Sequence, residues 1–109
     1  MGEFVKVANK SDLPPGEGMV VEVNGNRIAL FNVNGEFYAL DNTCPHRGGP
    51  LGEGYCDPIN LTVQCPWHGW TYSVRSGKAI IPPVGIRVPT YAVRVEGDDV
   101  YVTIDWPDG

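Results

Sequence analysis

Cys44-Pro45-His46 and, after eighteen intervening residues, Cys65-Pro66-Trp67-His68 decide how this chain is read. Each run supplies one thiolate and one imidazole, and the chain has no other histidine. Two soft sulfur donors with two nitrogen donors, delivered from two separate loops, form the ligand set of zinc or of an iron–sulfur cluster. Structural zinc sites commonly use two cysteines and two histidines, usually with the cysteines paired in one run and the histidines in the other. Here each run is mixed, and Cys44 and His46 are one residue apart. A two-metal cluster suits mixed runs better: if one metal takes both thiolates and the other both imidazoles, each loop spans the cluster with Cys at one end and His at the other.

The rest of the chain supplies a β scaffold. Apolar and polar residues alternate, and no window carries a helical period. Strands are expected over 3–8, 19–23, 27–33 and 36–40, with Asn24-Gly25 and Asn34-Gly35 as hairpin turns, since both central residues of a type I′ turn need positive φ. Ser11 to Gly16 reads as a turn or loop. Two further strands, 91–95 and 100–104, flank Glu96-Gly97-Asp98-Asp99. Between them the strands shorten. Leu61 to Gln64 and Trp70 to Ser73 bracket the second ligand run, Arg75-Ser76-Gly77-Lys78 reads as a turn, and Pro82-Pro83 rules out an interior strand because proline donates no ladder hydrogen bond. The expected architecture is all-β: an antiparallel sandwich or barrel base (1–41 and 85–109) with a small cluster-binding subdomain (42–84) inserted, all within a single 109-residue domain.

Bulk properties narrow the function. Net charge is −5 and the sequence pI about 4.8, with the cationic residues scattered. That argues against nucleic acid, which needs clustered Lys and Arg. No stretch is long and apolar enough to span a bilayer, and the start lacks the layout of a signal peptide. A soluble, cytoplasmic monomer is expected. Of the three cysteines, Cys56 has no partner for an internal disulfide and reads as a buried structural thiol.

The runs Cys-x-His and Cys-x-x-His resemble the signature of the Rieske family, which carries a [2Fe–2S] cluster with two Cys on one iron and two His on the other. The likeness includes Pro66, Gly69 and Arg47-Gly48-Gly49. Pro82-Pro83 is similar to the family's third loop, which packs over the cluster, and the closing segment 91–102 looks like the last hairpin of its base, so the resemblance covers essentially the whole chain. It implies that Cys44 and Cys65 bind the inner iron and His46 and His68 the outer one. Two ferric ions, two sulfides and two thiolates sum to zero charge, so an electron is accepted more readily than by an all-cysteine cluster. The family range of roughly −150 to +300 mV lies above the roughly −400 mV of plant-type clusters. The smallest gap corresponds to roughly 6 kcal/mol for one electron.

Departures refine the expectation. Rieske proteins of respiratory and photosynthetic complexes carry an extra disulfide and a membrane anchor. Gly49 and Trp67 stand where its cysteines would be. Trp70 replaces that branch's cluster-bonding serine, while Tyr72 keeps its tyrosine. Fewer donors to the sulfides imply a potential in the lower part of the range. Each ligand imidazole keeps a remote N–H that ferric iron acidifies, so the midpoint should be flat near neutrality and fall in alkali. Trp67, Trp70 and Tyr72 are expected to pack the second loop and exclude water, the other reading placing Trp67 at a docking surface. Arg47 stands beside a ligand, either steering an acidic partner or solvated. Glu53, Asp57, Asp98 and Asp99 read as solvated surface, and Glu36 and Asp41 as strand-end residues.

Catalysis is not expected. An oxygenase needs a second, mononuclear iron, usually held by two histidines and a carboxylate, and both histidines are already used. No triad, P-loop or dinucleotide fingerprint occurs. The expected role is one-electron transfer, which the resemblance implies runs from a flavin reductase to a terminal oxygenase. Two alternatives stand beside it: the Rieske-like small subunit of a nitrite reductase, and a structural Cys2His2 zinc module.

Overall fold

The computed structural model describes residues 4–23, 25–42, 50–67, 70–80 and 87–103. Ten strands appear in chain order: β1 (Phe4–Asn9), β2 (Gly18–Val23), β3 (Asn26–Val33), β4 (Glu36–Asp41), β5 (Tyr55–Asp57), β6 (Thr62–Gln64), β7 (Thr71–Ser73), β8 (Thr90–Tyr91), β9 (Val93–Glu96) and β10 (Asp99–Thr103). The only helical pieces among the described residues are two single 3-10 turns, Lys10–Asp12 and Leu51–Glu53.

All strand pairs are antiparallel and form three sheets: β1-β10-β9, β2-β3-β4-β8 and β5-β6-β7. The first two sheets enclose a core containing Leu13, Ile28, Leu30, Ala39, Tyr91, Val100 and Val102. Thus both ends of the chain build the base, as alternation predicts. Alternation also divides β3 between two cores. Ile28 and Leu30 face the first, whereas Ala29, Phe31 and Val33 face a second core shared with Val63, Tyr72 and Val74 of the small sheet's region. A strand buried on both faces reads as a continuous apolar run, which is the character of Ile28 to Phe31.

The β3–β4 turn has the expected form: Asn34 and Gly35 have φ of 56° and 91°. Its geometry is held by Asn32, a buried side chain whose Oδ1 accepts from Gly35 N (2.9 Å) while its Nδ2 donates to Leu13 O (2.7 Å). Asn24 of the other hairpin lies outside the described residues.

Several boundaries differ from the sequence reading. Leu61 is a turn residue with φ 57°, so β6 begins at Thr62. Trp70 precedes β7 rather than starting it. The stretch 91–95 is two strands, not one. Ala92 interrupts it where the chain leaves the β4 edge to join β10, and its carbonyl accepts from Thr103 N at 3.0 Å. β5 has no counterpart in the sequence reading, because three residues between Gly54 and a Pro58 turn show too little alternation to register.

Candidate metal centre

Cys65 is the one expected ligand among the described residues; Cys44, His46 and His68 lie outside them, as do Arg47 and Pro82-Pro83. Cys65 is 2% exposed and belongs to the second core. It directly follows β6, and its N–H donates to Trp70 O at 2.7 Å. That bond closes residues 65–70 at the mouth of the β6–β7 hairpin. The run carrying Cys65 and His68 is therefore the connection between β6 and β7, closed at its base by this bond.

The first ligand run is closed by Asn42. Its backbone carbonyl accepts from Leu51 N at 2.8 Å, and its side-chain Oδ1 accepts from Gly52 N at 2.7 Å. Asn42 is 4% exposed, so these bonds are shielded from water. Residues 43–50, which include Cys44 and His46, leave and re-enter the fold through this clamp.

The two roots lie side by side. Gly54 approaches the end of β6 so closely that a Cβ built there would stand 2.2 Å from the Gln64 carbonyl oxygen, one residue before Cys65. Glycine is required at this position for contact rather than for a special φ. Leu51, fully buried, packs in the same core as Cys65, with Trp70 partly buried against it. The clamp and the Gly54 contact thus bring the residues flanking the two ligand runs together at one end of the small sheet. Asn42, Gly52 and Gly54 were absent from the sequence reading; single Asn and Gly residues in a glycine-rich stretch carry no spacing signal.

A third segment starts from the same sheet. Ile80 N donates to Thr71 O (3.0 Å), and Ala79 and Lys78 form antiparallel bridges with Tyr72 and Arg87. The segment between, 81–86, holds Pro82-Pro83.

The aromatic residues divide. Tyr72 is wholly buried and Trp70 packs against the core, as expected of residues that exclude water. Trp67 does not: it is 49% exposed, in the connection between β6 and β7. Cys56 is buried, and that burial, with the adjacent Asp57 carboxylate, pushes its thiol above the ordinary range. Asp57 is structural. Its carboxylate accepts from Ile59 N (2.9 Å), Asn60 N (3.3 Å) and Asn60 Nδ2 (2.8 Å), and these bonds, the Asn60 side chain foremost, hold its pKa below the usual value. Asp99 pairs with Lys6 at 3.0 Å, and Glu36 accepts from the Tyr38 hydroxyl at 3.0 Å.

The donor set and its setting fit a [2Fe–2S] group: a shielded thiolate position, two adjacent loop roots, and mixed sulfur and nitrogen donors in the loops they carry. No described helix is long and apolar enough to cross a membrane.

Known proteins agree. The family model described as Rieske [2Fe-2S] domain matches residues 3–92. The 3-phenylpropionate/cinnamic acid dioxygenase ferredoxin subunit of Shigella boydii serotype 4 is 38% identical over 94 residues, covering 86% of this chain and 87% of that protein. The ferredoxin in a complex of reduced oxygenase and oxidised ferredoxin of carbazole 1,9a-dioxygenase is 32% identical with a TM-score of 0.82, covering 91% of each chain. A Mycobacterium tuberculosis protein described as an NADH-dependent nitrite reductase small subunit has a TM-score of 0.87 at 23% identity, covering 97% of this chain and 98% of that one. At that identity the likeness concerns the fold alone.

Proposed function

Because the chain belongs to the Rieske [2Fe–2S] domain family, we propose that it is a one-electron carrier that receives electrons from a flavin reductase and passes them to a terminal oxygenase. The observation that carries this reading is the match to dioxygenase ferredoxin subunits along nearly the full length of both chains. The family's cluster supplies reversible one-electron chemistry when bound. We assign its ligands as Cys44 and Cys65 on one iron and His46 and His68 on the other. Support comes from the shielded position of Cys65 and from the Asn42 clamp and Gly54 contact that bring the two loop roots together. The division into a base (1–41 and 85–109) and a cluster-binding subdomain (42–84) follows the same logic, since the loop roots all emerge around the small β5-β6-β7 sheet.

The chain's own residues contribute burial and position. Tyr72, Val63 and Leu51 keep the inner side of the site dry. A low-dielectric surround raises the cost of net charge, so the neutral oxidised form of a mixed-ligand centre suits it. Trp67 lies exposed on the second loop, where a partner reaches it. The cytoplasm is the proposed location, in keeping with an odd number of cysteines.

The nitrite reductase subunit remains the second reading, favoured by likeness to solved structures described as such subunits at 26% and 23% identity. All four ligand positions are retained here, whereas many such subunits lack them, and this supports the carrier. The test is reconstitution with the oxygenase and reductase encoded beside the gene. Product should form only when this protein is present. Undiminished turnover without it, or a neighbouring sirohaem reductase that requires it, refutes the carrier reading.

A further inference from the structure

We propose that Arg75, Lys78 and Arg87, together with the aromatic-lined groove beside Arg75, form a docking surface for a carboxylate-rich segment of a protein partner that inserts an apolar side chain. The three cations are exposed and belong to one rigid corner. Lys78 and Arg87 are directly opposed partners in an antiparallel bridge, so their side chains leave the same face. Like charges placed opposite each other repel, and no described acidic side chain forms an ion pair with any of the three; among the described residues the ion pairs are Lys6 with Asp99 and Arg94 with Glu96. In a chain of net charge −5, three of the eight cationic residues are thus exposed without an ion pair among the described residues.

The corner is built, not loose. Ser73 Oγ accepts from Arg75 N (3.2 Å) and Ser76 N (3.3 Å), and Ser73 N donates to Lys78 O (2.9 Å). Gly77 sits at φ +77°, its carbonyl accepts from Val88 N (2.9 Å), and a Cβ there would stand 2.1 Å from Val88 O. The backbone that carries the cations is therefore held in place before any partner arrives, which lowers the ordering cost of binding.

Next to Arg75 lies a groove of about 360 Å³, lined from β4, the β8 edge and the start of β9. Phe37, Tyr38 and Val93 line it with Arg75. Arg75 is close enough to Tyr38 to favour its phenolate, though burial and the Glu36 hydrogen bond outweigh it and raise the phenol's pKa. Glu36, held by the Tyr38 hydroxyl, marks the end where further carboxylates are unwelcome. An occupant with acidic residues towards Arg75 and an apolar side chain in the groove satisfies both features.

The test uses the isotope-labelled holoprotein and two peptides, acetyl-Glu-Glu-Phe-Glu-Glu-Glu-amide and the same peptide with Ala for Phe. Amide shifts should be confined to residues 36–39, 73–80 and 87–93, should vanish in high salt, and should be stronger for the Phe peptide. The R75Q/K78Q/R87Q variant should bind about ten-fold more weakly or worse, while K6Q, outside the corner, binds as the parent does. Each variant's visible spectrum reports an intact centre. Shifts elsewhere, equal binding by the two peptides or by the triple variant, or tighter binding of single-stranded DNA or anionic vesicles at equal charge would overturn the proposal.

Discussion

Removing the Asn42 side chain tests whether the loop clamp holds the metal centre. In Asn42→Ala the backbone bonds from Leu51 N and to Arg27 O remain, but Gly52 N loses its acceptor at 2.7 Å in a buried setting. An orphaned buried donor costs about 1–3 kcal/mol. With a shift of roughly 4 °C per kcal/mol for a chain of this size, the melting temperature should fall by roughly 4–12 °C. The informative comparison is Asn32→Ala. Asn32 has the same 4% exposure, but its bonds to Leu13 O and Gly35 N lie in the base. Its loss should destabilise the fold at least as much. The two variants should part in the rate of iron release, followed by bleaching in the visible with a ferrous chelator present, under conditions where far-ultraviolet circular dichroism shows the fold intact. Asn42→Ala frees local opening of residues 43–50, so a cost of about 2 kcal/mol confined to that opening raises iron release roughly thirty-fold. Asn32→Ala should release iron only as fast as it unfolds. If both variants lose iron in proportion to global unfolding, the clamp has no local role and the reasoning fails.

Gly54→Ala should destabilise the holoprotein by about 1–3 kcal/mol through overpacking against the Gln64 carbonyl, in urea titrations, and by more than Gly25→Ala, where φ is +82° but the added Cβ meets nothing. Cys56 should resist a disulfide exchange reagent at pH 8 in the folded holoprotein and react at once in denaturant, since burial raises its thiol pKa and blocks access; prompt reaction in the folded state contradicts a structural thiol. Asp57→Asn should lower stability at pH 7. The hydrogen bonds depress the folded-state pKa of Asp57, so its contribution is present above the unfolded value of about 3.9 and is lost as pH falls through the folded one. The deficit of the variant should therefore shrink towards zero in strong acid, and a deficit that is constant with pH refutes the linkage.

The base was legible because its signals are redundant. Asn34-Gly35 fixes a hairpin, and the alternation in residues 3–8 and 100–104 pairs the two ends of the chain. Where the signal is a single residue the reading stopped. Ala92 ends β8 by handing its carbonyl to Thr103, a tertiary contact that no local pattern encodes. Leu61 at φ 57° looks like strand by composition, yet the Asp57–Asn60 turn that precedes it dictates otherwise. At the candidate site the four proposed ligands stand out through residue type and spacing. The parts that position them do not: Asn42 acts through one side-chain oxygen, and Gly54 through the absence of a Cβ. Trp67 shows the same limit from the other side. Its size favours burial, but beyond the end of β6 it stands half in solvent.

Pulsed electron paramagnetic resonance of the dithionite-reduced protein probes the ligand assignment at the metal itself. A spin-coupled pair of irons should give strong hyperfine couplings from two directly bound nitrogens, and both should vanish together with the cluster's colour when His46 and His68 are replaced. A reduced centre without nitrogen couplings, or a colourless protein that holds one zinc, would contradict the assignment.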